Sequence, residues 1–371
     1  MAKYKLDDVC EFITDGTHQT PEYCDEGGVI FLSSKDVTER KINWDDVKHI
    51  SNSLHEKLYK RLSPKKDDIL LAKNGTTGVA AIVDRNEIFD VYVSLAVLRP
   101  LTTINPKYLL YAINSPVAKR QFDAGLKGVG VPNLHLNVIR ETVINVADRE
   151  KQEKICVVLD KIAGVVDKRK EELNKLDNLI KARFVELFGD PATPGEKFKI
   201  SKLGEVADVK SSHRVFTTEF VDEGVPFYRG TEIGVLASGQ QPEEPYRISM
   251  EHYLKIANDD SKPVRGDLLL PSICNKGQVW MVDTDEPFYY KDGRVLCISP
   301  DRSVFDPRYL QFYMKMRTEA EYPKLGSGST FAEFKIFQLK ELEVDIPSMN
   351  TQKSFNLFAD QVNKSKVMNV I

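Results

Sequence analysis

The chain has 371 residues, 42% hydrophobic and 29% charged, with 52 Lys and Arg against 55 Asp and Glu for a net charge of −3. This is the composition of a soluble globular protein of about two domains: no run approaches the roughly 18 apolar residues of a membrane span. The balanced charge neither announces nucleic-acid binding, which usually shows as a basic face, nor excludes it.

The N-terminal MAKYKLDDVCEF has no apolar signal core, so a cytoplasmic location is expected. Cys10, Cys24, Cys156, Cys274 and Cys297 are odd in number, scattered and without a CxxC. They read as free thiols, not as a disulfide frame or a zinc site. Residues 1–148 form a strand-rich block. Its short apolar runs, GGVIFLSS, DDILLAKNGTTGVAAIVD and VYVSLAVLRP, read as strands, with Gly75 and Gly78 as turn punctuation. A helix is predicted from about Pro106 to Phe122, with Pro106 suited to its first turn.

From about Asp148 to Phe188 the apolar period becomes helical, and Gly164 is the single internal Gly or Pro. Ile155, Leu159, Ile162, Val166, Leu173, Leu176, Ile180 and Leu187 follow steps of four and three, with Arg169 and Arg183 at the two breaks. This predicts a coiled-coil helix of about 60 Å. The alternative is a long amphipathic helix lying on a domain. FGDPATPGEK ends it, Gly189 and Pro191 being the stop signals, so residues 149–197 are a helical spacer and linker. A second strand-rich block occupies 198–349. A final helix over 350–371 carries Phe355, Phe358 and Val362 on one side. Antiparallel pairing of the two helices would bury both seams and hold the blocks apart. The second helix is about half the length of the first, so part of the long seam lacks an intrachain partner.

The order of parts repeats. KLDDV at Lys5 returns as KLGEV at Lys202, DDILLA at Asp67 as GDLLLP at Gly266, NPKYLLYAI at Asn105 as DPRYLQFYM at Asp306, and Gln152 of REKQEKI as Gln352 of MNTQKSF. The shifts lie between 197 and 201 residues and keep one order, which marks a tandem duplication, not a solenoid. The expected class is α+β: two tandem mixed α/β domains separated by long helices that pair as an antiparallel coiled coil.

The six histidines form no HExxH and no close His/Cys cluster, and no dinucleotide fingerprint, phosphate loop or nucleophile elbow occurs. No Pro-Pro pair exists, so the Asn/Asp-Pro-Pro-aromatic motif of amino-group methyltransferases is absent. Covalent chemistry, a bound metal and a cofactor are therefore not expected of this chain. What remains is a set of polar, glycine-bearing loops at matching places: TDGTHQT, SSKDVTER, AKNGTTG and GLKGVGVPNLH in the first copy, KSSHRVFT, YRGTE, SICNKG and GSGSTF in the second. The framework repeats while the loops diverge, as in two related scaffolds reading two different things. Arg and Lys suit guanine, Asn and Gln suit adenine, and Ser and Thr position phosphates. The candidate DNA-binding residues are Thr14, Asp15, Gly16, His18, Gln19, Ser34, Lys35, Lys73, Asn74, Thr76, Lys127, Asn133 and His135 in the first copy. In the second they are Ser211, His213, Arg214, Arg229, Asn275 and Lys276. Ser, Thr, Asn and Gly are also what any turn contains.

ITDGTHQTPEY, IFLSSKDV, DDILLAKNGTTG and ELFGDP resemble specificity subunits of type I restriction-modification systems, over essentially the whole chain. The resemblance implies two target recognition domains alternating with two conserved helical regions, each domain reading one half of a split duplex DNA target. It implies that the helices set the gap and dock modification subunits, two of them expected. Those partners would use S-adenosylmethionine for adenine methylation, and restriction subunits would use ATP and Mg. A two-domain protein-interaction scaffold without DNA readout is the competing expectation.

Overall fold

Four consecutive apolar residues, Ile69–Ala72, need a strand buried on both faces, because successive side chains alternate sides. A computed structural model, which describes residues 1–24, 27–38, 40–126, 132–325 and 332–368, supplies that strand. Ile69 and Leu71 pack with Leu98, Leu109, Ile113 and Phe122, while Leu70 and Ala72 face the other way, onto Leu32, Phe89 and Val97.

The chain divides into two compact units, Met1–Lys168 and Arg169–Ile371. In the first, the central antiparallel sheet runs in the order Cys10–Asp15, Leu95–Pro100, Ile69–Ala72, Ala80–Ile82. A second sheet runs Phe89–Val91, Val29–Leu32, Lys48–Ile50, Tyr23–Cys24, and its first pair is parallel. Ala2–Lys5 pairs with Val143–Val146. The second unit repeats all three sheets. Its central order is Ala207–Lys210, Val295–Pro300, Leu268–Pro271, Trp280–Met281. Its second sheet is Tyr289–Tyr290, Val225–Tyr228, Tyr246–Ile248, Phe220–Val221, again with the first pair parallel, and Ile200–Lys202 pairs with Glu343–Asp345. The duplication seen in the sequence is thus a duplication of topology, and the α+β expectation holds.

The repeated phrase has a hydrogen-bonding cause. Asn105 and Asp306 cap helices that begin at Pro106 and Pro307, where the missing proline N–H costs nothing. Asn105 N–H donates to Gln152 Oε1 and Asp306 N–H to Gln352 Oε1, both at 2.8 Å. Each glutamine is buried and also donates to a backbone carbonyl, that of Ala147 or of Pro347. The matched residues are those that tie the start of one helix to the start of another.

Two expectations need correction. The helix over Pro106–Phe122 is two helices, Pro106–Ile113 and Pro116–Gly125. Pro116 cannot continue a helix, and Ser115 caps the new one by accepting from Ala118 N–H. The second unit has no proline there and keeps one helix, Pro307–Glu321. The long helix, Arg149–Phe188, is as read, but its seam drifts off the heptad. Ile180, Phe184 and Phe188 are buried at steps of four and Leu187 is partly so, because the two phenyl rings reach Tyr309 and Phe355. Further up the helix, Ile162 and Val166 are 55% and 47% exposed.

The C-terminal helix is Met349–Met368, and the predicted end at 371 lies outside the described residues. Within the second unit it pairs antiparallel with the last turns of the long helix. Lys366 bonds Asp177 at one end (2.5 Å), and Phe355 packs against Phe184 and Phe188 at the other. Val362 is buried in this contact, Leu176 and Phe358 are partly so, and Arg183 lies over the Phe358 ring. No described helix is long and apolar enough to cross a membrane.

Candidate nucleic-acid interface

Where the strand Ile69–Ala72 ends, the backbone of the next residue is held from two sides. Lys73 N–H donates to Ser94 O (2.8 Å), and Leu134 N–H donates to Lys73 O (2.9 Å). Those bonds bring the AKNGTTG loop against PNLH, sixty residues away, and Asn74 lies across from Asn133 in an antiparallel bridge. Asp15, at the end of the edge strand, accepts from Lys73 Nζ at 2.5 Å and stands 3.4 Å from His18 Nε2. The Lys73 and Asp15 side chains are 7% and 9% exposed, so the pair is an internal one.

Asp15, His18, Lys73, Asn74, Asn133 and His135, all marked from sequence, line a single open cleft of about 500 Å³. Asn74 Oδ1 and Asn133 Oδ1 are buried without a hydrogen-bond partner among the described residues. An amide presents both a donor and an acceptor, which is the pattern an adenine edge requires. A buried amide oxygen left unpaired is costly, so an incoming donor would be bound well.

The other first-unit candidates surround the cleft or support it. Thr14 lies in the strand before Asp15 and is half-buried. Gly16 is buried, and a Cβ there would fall 1.8 Å from Val91 O, so its job is close backbone approach. Gln19 is exposed, and its N–H donates to Thr17 Oγ1. Ser34 N–H donates to Ser94 Oγ (3.0 Å), which ties its loop to the residue that holds Lys73. Lys35 and Thr76 are exposed. Lys127 lies outside the described residues, as does all of GSGSTF.

The second unit builds the same frame. Ser272 N–H donates to Arg294 O (2.9 Å) and Phe334 N–H to Ser272 O (2.8 Å), so Ser272 stands where Lys73 stands. Thr14 pairs with Val97 and Lys210 with Cys297, which makes the following residues, Asp15 and Ser211, counterparts. The buried ion pair of one unit is thus two hydroxyls in the other. Ser33 N–H donates to Asp36 and Arg229 N–H to Glu232 in equivalent turns. The Arg229 guanidinium also bonds Glu232 and lies over the Tyr246 ring.

His213 Nε2 is 2.7 Å from Asp259 and Arg214 Nε 3.1 Å from Asp292. Hydrogen bonds from Ser261 and then His213 hold the Asp259 carboxyl well below the usual carboxylate range. Asn275 and Lys276 are exposed, but in register they match Thr76 and Thr77, so Lys276 is no counterpart of Lys73. Lys276 lines a different cleft with Lys181, Arg308, Lys315 and Lys366. Sequence reasoning missed Ser94, Ser272, Arg294 and Glu333, the last two being ion-paired. The offset of about 200 residues could have found Arg294, since VYVSLAV and KDGRVLC occupy the same place in the repeat.

A family model described as "Type I restriction modification DNA specificity domain" matches residues 1–178 and 195–365. The MjaVIII type I restriction enzyme specificity subunit of Methanocaldococcus jannaschii is 25% identical over 323 residues, covering 80% of this chain and 72% of that protein. A chain from a structural study of type I R-M complex assembly and conformational transition is 18% identical, with a TM-score of 0.49, over 99% of this chain and 91% of that one. The S subunit of a type I restriction-modification system from M. genitalium is 15% identical, with a TM-score of 0.47, over 99% and 92%.

Proposed function

The chain belongs to the type I restriction-modification DNA specificity family, and on that premise we propose that its two domains each read one half of a bipartite duplex target. The chain is the sequence-reading component; the competing scaffold reading is not favoured. One observation carries the two-half proposal. The two units hold the same backbone frame around different polar groups, Asp15 and Lys73 in one and Ser211 and Ser272 in the other. Two scaffolds that share a frame and differ in the groups they present suit two unlike half-sites. In the first cleft Asn74 and Asn133 are the groups suited to base edges, and in the second unit Arg229 and Arg294 are the groups suited to them. Exposed Ser, Thr and Lys residues around them would contact phosphates and set register.

The reading domains are proposed to be residues 1–148 and 198–349, and the long helix to set the number of unread base pairs. The chain itself would do no chemistry and hold no cofactor. Two modification subunits would methylate adenines with S-adenosylmethionine, and restriction subunits would use ATP and Mg. A complex acting on the host's DNA would be cytoplasmic.

The test is co-expression with the neighbouring modification subunit and a map of methylated adenines across host DNA. A split motif with a fixed gap is expected. An assembled complex that binds duplex DNA without sequence preference would sink the reading. Assembly with the partner and no salt-dependent duplex binding at all would hand the case to the scaffold alternative. Inserting one heptad beside Leu173 tests the ruler. Seven residues add about 10 Å of helix, close to three base pairs, and turn it by only about 20°. The gap should lengthen while both half-sites stay the same, or recognition should be abolished, since three base pairs also turn one half-site by roughly 100° about the duplex axis; a changed half-site with the old gap would remove the helix from that role.

A further inference from the structure

The shared backbone frame sets three residues of one unit opposite three of the other. Lys73 N–H donates to Ser94 O and Ser272 N–H to Arg294 O, so Arg294 stands where Ser94 stands. Leu134 N–H donates to Lys73 O and Phe334 N–H to Ser272 O, which sets Glu333 opposite Asn133. Ile273, the residue after Ser272, falls opposite Asn74. The two amides of the first unit are thus an apolar side chain and a carboxylate in the second. An arginine enters where the first unit has a serine.

These two sets bond different things. Asn74 Oδ1 and Asn133 Oδ1 are buried with no partner among the described residues, so an incoming N–H donor is what they lack. In the major groove adenine brings that donor on N6, beside the N7 acceptor, whereas guanine presents the two acceptors N7 and O6. In the second unit Arg294 gives Nη1 to Glu333, whose other oxygen takes Lys335 Nζ at 3.0 Å. The Glu333 side chain is 18% exposed and that of Arg294 59%, so the carboxylate is set back and the guanidinium meets solvent. Among the described residues the Nε and Nη2 groups of Arg294 have no acceptor. Their N–H bonds form a fork, the one that fits guanine O6 and N7. Arg229 already gives both of those groups to Glu232.

We propose that this matched position reads an A·T pair in the first half-site, through Asn74 and Asn133, and a G·C pair in the second, through Arg294. Glu333 is its positioning residue, holding the guanidinium by one nitrogen so that the fork points outward. The inference rests on the reading that each domain takes one half of a bipartite target, and it adds the base pair that each matched set requires.

The test uses the chain assembled with its modification subunit. The methylation map gives the parent motif, and duplexes altered one base pair at a time then compete for binding to parent and variant complexes. Arg294→Ser installs the first unit's residue at a side chain mostly in water, so folding is not at stake. It should cut selection for G·C at one position of the second half-site by about five- to 150-fold and leave the other positions alone. Arg294→Lys keeps the charge without the fork and should relax the same position. Glu333→Ala should relax it as well, while Glu333→Gln, which still offers an oxygen to the guanidinium, should keep most of the selection. A merely structural glutamate would move every position of that half-site or none. Asn74→Ala with Asn133→Ala should relax one A·T position in the first half-site only. Unchanged selection in Arg294→Ser, or relaxation at a position that is not G·C, overturns the proposal. So does an asparagine variant that relaxes a G·C position or none. A parent map without a split motif sinks the two-half reading and this proposal with it, and that failure is seen before any variant is made.

Discussion

Replacing Lys73 with methionine should destabilise the first unit by about 3–5 kcal/mol, the usual cost of stranding one partner of a buried ion pair. Lys73 Nζ is the cation that faces the Asp15 carboxylate in a pair less than a tenth exposed, and His18 is farther off and mostly in water. With the ammonium gone, Asp15 must either hold an unpaired charge away from solvent or take up a proton. The double change Asp15→Ser with Lys73→Ser copies the second unit's Ser211 and Ser272 and removes both charges together, so most of the stability should return. A urea unfolding midpoint read for both variants checks this. A Lys73→Met midpoint equal to that of the parent would show that the pair is not buried in solution. In a methylation map, the double variant should alter or lose one half-site and keep the other. Lys276→Ala serves as the contrast. That lysine is exposed and, among the described residues, bonds through its backbone N–H alone, so stability should stay within about 0.5 kcal/mol while duplex binding weakens.

How much of this was legible beforehand differs by feature, for physical reasons. The duplication could be read because the repeated residues make obligatory bonds: an Asx cap, a proline at the first helical position and a buried glutamine leave little freedom of type. The strand DDILLA was legible as a strand, but not which side faces helices and which faces a second sheet, since both are apolar. The break at Pro116 was written in the sequence as Ser-Pro and was passed over because the apolar spacing runs on through it. The seam's last turns were misjudged for the opposite reason. A strict heptad selects Leu187, whereas the packing selects Phe184 and Phe188, whose rings reach across to a neighbouring helix. The cleft itself could be guessed as a set of loops but not as a set of contacts. The Lys73–Asp15 pair and the Asn74–Asn133 bridge join residues about sixty apart, and nothing local in the chain encodes them. Least legible was the exchange of that ion pair for two serines: the aligned DDILLA and GDLLLP set Ser272 opposite Lys73, but no repeated phrase aligns Ser211 with Asp15, and the strand register does.

The pairing of the long helix with the C-terminal helix rests on two phenyl rings, so Phe184→Ala should cost about 3–5 kcal/mol in the second unit. Phe184 is 1% exposed and packs against Phe188, Tyr309, Tyr313 and Phe355. Truncation leaves a cavity among rigid rings that have little room to close over it. One effect works the other way: Tyr309 Oη is buried with no hydrogen-bond partner among the described residues, and a water admitted to the cavity would relieve it. That relief is about one hydrogen bond, roughly 1 kcal/mol, and does not reverse the sign. Ion pairs on the same helix will not compensate. Lys366–Asp177 joins a carboxylate that is 67% exposed, and such pairs contribute at most about 1 kcal/mol. The comparison variants are Ile162→Ala and Val166→Ala, side chains half in water, where the change in the isolated chain should stay within about 0.5 kcal/mol. Hydrogen exchange over residues 349–368 separates the two cases. Phe184→Ala should speed exchange along the whole C-terminal helix, because its apolar side loses its cover, and the two valine- and isoleucine-site variants should not. Equal protection in all three would mean that the C-terminal helix is held by Phe355 and the sheet beneath it, and that the pairing of the two helices contributes little to the fold.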